Sequence, residues 1–153
     1  MWRECAASDN RPVLVVEDSD DDFDTVLEAA ARAQVPNRLV RAANAEAAGA
    51  MLARDAADTF AFMLLDYSLL GMDGLAFLQA VRRDVALGAL PAVIFTTSVN
   101  PGDREAFCRA GASAFHVKSV QHTETLRTLA SIFEQWLPHM PPGMPPREAP
   151  PRA

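Results

Sequence analysis

Short apolar runs alternate with longer amphipathic stretches five times along the chain. Strands are predicted at 12–16, 38–42, 61–66, 91–97 and 113–118, from clustered Val, Ile, Leu and Phe. The third and fourth are apolar nearly throughout, as in Ala61-Phe62-Met63-Leu64-Leu65-Asp66, which is the pattern of strands covered on both faces. Between them the spacing predicts helices over about 20–34, 44–55, 73–86 and 102–110, with a last one over 122–137. Ser19 or Asp20 and Asn44 suit helix starts, Pro101 a first helical turn, and Gly88 and Gly111 helix exits.

This alternation with short connections demands a parallel sheet, because each right-handed crossover returns the next strand in the same direction. The natural solution is an α/β fold, a doubly wound, flavodoxin-like (βα)₅ arrangement with strand order 2-1-3-4-5. The order reverses between strands 1 and 3, and ligands of such sheets bind at the carboxyl ends of the strands there.

With 153 residues, 50% hydrophobic and 22% charged, the composition fits one domain over 12–137 behind a short lead, 1–11. From Pro138 the segment PHMPPGMPPREAPPRA carries seven of the 11 prolines and no apolar period, so 138–153 reads as a Pro-rich tail. A net charge of −6, with Arg82-Arg83 as the longest basic run, argues against direct nucleic-acid binding. No segment reaches the ~18 apolar residues of a membrane span, and the start has no apolar core, so a cytoplasmic, membrane-free protein is expected. Cys5 and Cys108 read as incidental reduced thiols.

The chemistry gathers at the strand ends. The first strand runs into Glu17-Asp18 and the third ends in Asp66, so the topology brings three carboxylates together. Uncompensated, they repel one another. A hard divalent cation removes the conflict, and with no His or Cys at these strand ends Mg²⁺ is the expected cofactor. A carboxylate beside Mg²⁺ is also a competent nucleophile toward phosphorus, and Asp66 is the candidate. The fourth strand ends in Thr96, Thr97 and Ser98, and the fifth in Lys118, supplying hydroxyls and one ammonium for a phosphoryl group.

With these residues in place the chain resembles the receiver domain of two-component response regulators, over 12–136. The resemblance implies that Asp66 is the phosphoacceptor, that Asp18, Asp66 and the backbone carbonyl of Ser68 ligate Mg²⁺, and that Glu17 acts through water. Thr96, Thr97 and Lys118 become the phosphoryl-contacting residues, and Phe115 takes the aromatic switch position. Val16-Glu17-Asp18, Val35-Pro36-Asn37-Arg38, Phe95-Thr96-Thr97-Ser98 and Phe133-Glu134-Gln135-Trp136-Leu137 look like the single-domain regulators that partner phytochrome-type histidine kinases. A sensor histidine kinase, of the bacteriophytochrome type, is thus the implied partner. The protein is expected to signal through protein contacts and not to be an enzyme.

Two positions depart from the family pattern. Ser119 follows Lys118 where receivers usually have Pro, so a trans peptide bond is expected, and Leu70 stands where the loop after the phosphoacceptor usually has Pro. Alternatives remain in view: a degenerate receiver that binds partners without phosphorylation, or a phosphatase with an aspartyl nucleophile, which wants a second Asp where Ser68 stands. Leu126, Leu129, Phe133, Trp136 and Leu137 form one stripe on the last helix, with Ile132 off it. That apolar excess predicts a homodimer through Phe133, Trp136, Leu137 and the segment that follows.

Overall fold

The computed structural model describes residues 11–54, 59–66, 74–97 and 99–137, and of Asp66 the backbone alone. Among the described residues ten elements alternate: β1 (Val13–Val16), α1 (Asp20–Arg32), β2 (Leu39–Ala42), α2 (Ala45–Arg54), β3 (Met63–Asp66), α3 (Gly74–Arg83), β4 (Ala92–Thr96), α4 (Pro101–Arg109), β5 (Ala114–Val117) and α5 (His122–Trp136). The sheet is parallel throughout and ordered β2-β1-β3-β4-β5, as the alternation predicts. In register, Val16 faces Ala42 on one side and Leu65 on the other, while Asp66 pairs with Phe95 and Thr96 with Val117.

Side chains alternate across a strand, so each strand feeds two cores. Leu14, Val16, Met63, Leu65 and Ile94 pack with Leu52, Leu78 and Phe107 beneath α2, α3 and α4. Val13, Val15, Leu64, Val93 and Phe95 pack with Val26, Leu129 and Phe133 beneath α1 and α5. Burial of each such side chain is worth about 1.5–3 kcal/mol before entropy is counted.

Local chemistry sets most helix ends. Ser19 Oγ accepts from Asp22 N at 3.2 Å, Asn44 Oδ1 from Ala47 N at 2.7 Å and Asn100 Oδ1 from Gly102 N at 2.8 Å, each relieving a donor orphaned in a first turn. Gly111 leaves α4 at φ +102°. Gly88 does not serve as predicted. Helix α3 ends at Arg83, and Asp84 Oδ1 takes the Ala86 N–H at 2.8 Å, a side-chain bond that replaces helix with turn before Gly88 is reached. At the exit of α1 Gln34 adopts φ 58°, and Val35 N closes back on Ala30 O at 2.9 Å, the geometry usually given to Gly.

The last helix corrects the reading of its own stripe. Ile132, placed off it, is fully buried, because α5 is covered by both the sheet and α1. Phe133 and Leu137 are only 2% and 3% exposed within the protomer, so these two dimer candidates are taken up by the chain's own core. Trp136 is half-buried, its ring 6.5 Å from that of Phe62. No helix among the described residues is long and apolar enough to cross a membrane.

Candidate functional site

The parallel ladder continues one residue past β1, where Glu17 N donates to Ala42 O at 3.0 Å, and this carries the Glu17 side chain inward to 3% exposure. Its Oε2 accepts from Ser19 N at 3.2 Å. Asp18, next along, is exposed. Because Val16 pairs with Leu65, the backbone of Asp66 lies alongside Glu17 at the end of β3. Thr96 is buried at the end of β4 and Thr97 is exposed.

From the other side Lys118 enters. Its backbone N–H donates to Thr96 O at 2.6 Å, which places it directly beyond β5. Its side chain, 11% exposed, sets Nζ 3.6 Å from Glu17 Oε1 and 3.2 Å from Asp22 Oδ2, and 5.5 Å from the centre of the Phe95 ring. An ammonium so withdrawn from water needs anionic company, and two carboxylates with an aromatic face supply it. The Lys118–Ser119 peptide is trans, as expected without proline. A cleft of ≈ 250 Å³ opens beside this group between α1 and α5, walled by Val26, Phe95 and Leu129 and rimmed by Asp22, Thr25 and Thr125.

Phe115 lies on the opposite sheet face from Phe95, half-buried with Phe107 at 6.1 Å and the Arg104 guanidinium 5.5 Å from its ring centre. Thus Glu17, Thr96 and Lys118 converge, and Phe115 lies directly across the ladder from its partner Ile94, in the core beneath α2, α3 and α4. Ser68, Leu70 and Ser98 fall outside the described residues, as does the Asp66 side chain.

Two participants escaped the sequence reading. Asp22 reaches Lys118 from the first turn of α1; its spacing of four residues after Asp18 was the available signal, hidden within the run Asp20-Asp21-Asp22. Arg41, on edge strand β2, donates Nε to Glu17 O at 2.9 Å and Nη1 to Asp20 Oδ1 at 2.7 Å, with its guanidinium 5.4 Å from the Phe23 ring centre. It ties down the turn that carries the acidic pair, and nothing in a lone strand arginine announces that.

No group of three His, Cys, Asp or Glu that could hold a metal ion occurs among the described residues. The described donors, Glu17 and Asp18, are carboxylates with no thiol or imidazole beside them, and that chemistry fits a hard divalent ion.

A model of the response regulator receiver domain matches residues 13–130. The chain is 31% identical over 75 residues to a probable methanogenesis regulatory protein, FilR2, of Methanothrix harundinacea, covering 49% of this chain and 48% of that one, so it spans about half the length of this curated relative. Among solved structures it is similar to the phosphorylated cyanobacterial phytochrome response regulator RcpA, with 26% identity, TM-score 0.77, and 84% and 95% of the two chains covered. The Mn²⁺-bound form of response regulator Rcp1 is as near, at 25% identity, TM-score 0.76 and coverage of 85% and 96%. RPA3017, a response regulator in red light signalling of R. palustris, shares the fold at TM-score 0.75 with 22% identity over 89% and 99%. This chain belongs to the response regulator receiver family.

Proposed function

We propose that the protein accepts a phosphoryl group from a histidine kinase on Asp66, in a Mg²⁺-dependent reaction, and signals through protein contacts. The observation that carries this reading is the nearly buried Lys118 ammonium, held against Glu17 at the strand ends and borne two residues past the ladder position that aligns Asp66, Phe95 and His116. A fixed cation beside a strand-end carboxylate is what a transferring phosphoryl group requires. Asp18, Asp66 and the Ser68 carbonyl would hold Mg²⁺, with Glu17 acting through water, and the ion would neutralise charge on the phosphoryl oxygens.

In the transfer, the P–N bond of a kinase phosphohistidine breaks as a P–O bond to an Asp66 carboxylate oxygen forms, and the imidazole leaves with the electron pair. Lys118 balances charge on the phosphoryl oxygens, the Thr96 hydroxyl donates to one of them, and exposed Thr97 flanks the entrance. Repacking of Phe115 against Phe107 and Arg104 would carry the change to the surface of α4, β5 and α5. Similarity to the phytochrome response regulator RcpA supports a bacteriophytochrome as the kinase.

Labelled phosphotransfer from a panel of histidine kinases tests the reading. Wild type should become labelled and Asp66→Asn should not; labelling that persists in the variant overturns it.

A further inference from the structure

Lys118 has one ammonium and several anionic claimants. Asp22 Oδ2 stands at 3.2 Å and Glu17 Oε1 at 3.6 Å, so the shorter approach is made by the residue outside the acidic pair. The two anions differ in standing. Glu17 is 3% exposed and tied to Ser19 N, whereas the Asp22 side chain is 50% exposed on the rim of the α1–α5 cleft. Asp22 is nonetheless held in place, because its backbone N–H is capped by Ser19 Oγ in the first turn of α1.

Glu17 and Asp22 line the same cleft, Glu17 at its strand end and Asp22 on the first turn of α1, and the Lys118 ammonium lies within reach of both, over Phe95. A phosphoryl group on Asp66 brings charge near −2, more than a half-exposed carboxylate offers an ammonium. We propose that Asp22 is a positioning residue that draws the Lys118 ammonium toward α1 at rest and competes for it with a phosphoryl group on Asp66; this rests on the phosphoacceptor reading above. Asp22 would then set how completely phosphorylation recruits Lys118, and so the balance between resting and phosphorylated states.

The test is calorimetric titration of the full chain with beryllofluoride and Mg²⁺, the fluoride standing for the phosphoryl group. Wild type is compared with Asp22→Asn, which is nearly isosteric, and with Asp21→Asn, which removes the same charge one residue away on an exposed face. Asp22→Asn should bind about two- to fivefold more tightly, the size expected on deleting one partly exposed ion pair, and Asp21→Asn should move by less than half as much. The advantage of Asp22→Asn should shrink at ~1 M salt, where the Debye length falls to about 3 Å. Equal shifts in the two variants, or unchanged or weaker binding by Asp22→Asn, overturn the proposal. Failure of wild type to bind overturns instead the phosphoacceptor reading beneath it.

Discussion

Replacing Gly111 by Ala should destabilise the protein by about 2–4 kcal/mol. Gly111 turns the chain from α4 into β5 at φ +102°, outside the range L side chains adopt readily, which costs an alanine about 1–2 kcal/mol. An added Cβ would also lie 2.9 Å from Arg82 Nε and 3.1 Å from Arg82 Cγ and Cδ. That arginine cannot swing aside freely. Its Nε donates to Gly111 O at 2.9 Å and its Nη1 to Leu90 O at 2.8 Å, joining α3, the turn before β4 and the turn before β5. Burial pushes the guanidinium pKa down, yet the group stays charged at neutral pH, so both bonds are charge-assisted. Losing them in part to water adds about 1–2 kcal/mol. Urea unfolding of wild type, Gly111→Ala, Arg82→Ala and the double variant measures this, with a constant m-value as the check on two-state behaviour. The double variant should cost less than the sum of the singles by about 1 kcal/mol, because the clash needs the arginine. A Gly111→Ala cost below ~0.5 kcal/mol, or strict additivity, would refute the reasoning.

Arg41→Ala should weaken Mg²⁺ binding about tenfold by calorimetry, through release of the turn bearing Glu17 and Asp18, and Arg41→Lys should not restore it, since one ammonium cannot serve both Glu17 O and Asp20 Oδ1 from the same plane. Unchanged affinity would show that the turn holds itself. Burial, and next the positive charge of Arg104, hold the His116 pKa below 6.5, and its Nε2 has no partner among the described residues. The unfolded chain therefore takes the proton first: the stability this neutral ring contributes is complete above pH 6.5 and is lost as the pH falls through the lowered native pKa. His116→Leu should flatten the stability curve between pH ~7 and ~5 relative to wild type, and parallel curves would contradict the sign.

The architecture was legible because each strand is short and apolar and each connection carries one amphipathic helix, which leaves few topologies open. Glu17, Thr96 and Lys118 were legible for the same reason: they stand at strand ends, and strand order converts that address into proximity. Partnership within the site was not. Lys118 turns to Asp22, on a helix, and Arg41 reaches across from the edge strand, and both depend on side-chain reach that periodicity does not encode. Gly88 and Ile132 were misread because competing local bonds and a second covering surface act where a one-dimensional pattern assumes one. Phe133 and Leu137 looked surplus only while α5 was credited with a single sheet face; α1 covers the remainder.

The core that joins α1 to α5 has a consequence during synthesis. Val26, Ala29 and Ala30 emerge from the ribosome about a hundred residues before Leu126, Leu129, Ile132 and Phe133, which cover them. At ~10 residues per second the apolar face of α1 waits on the order of ten seconds for its partner. Over that interval the nascent chain presents a half-built layer of the kind that chaperones bind, and a ribosome stalled before residue 126 would leave a fragment unable to close it.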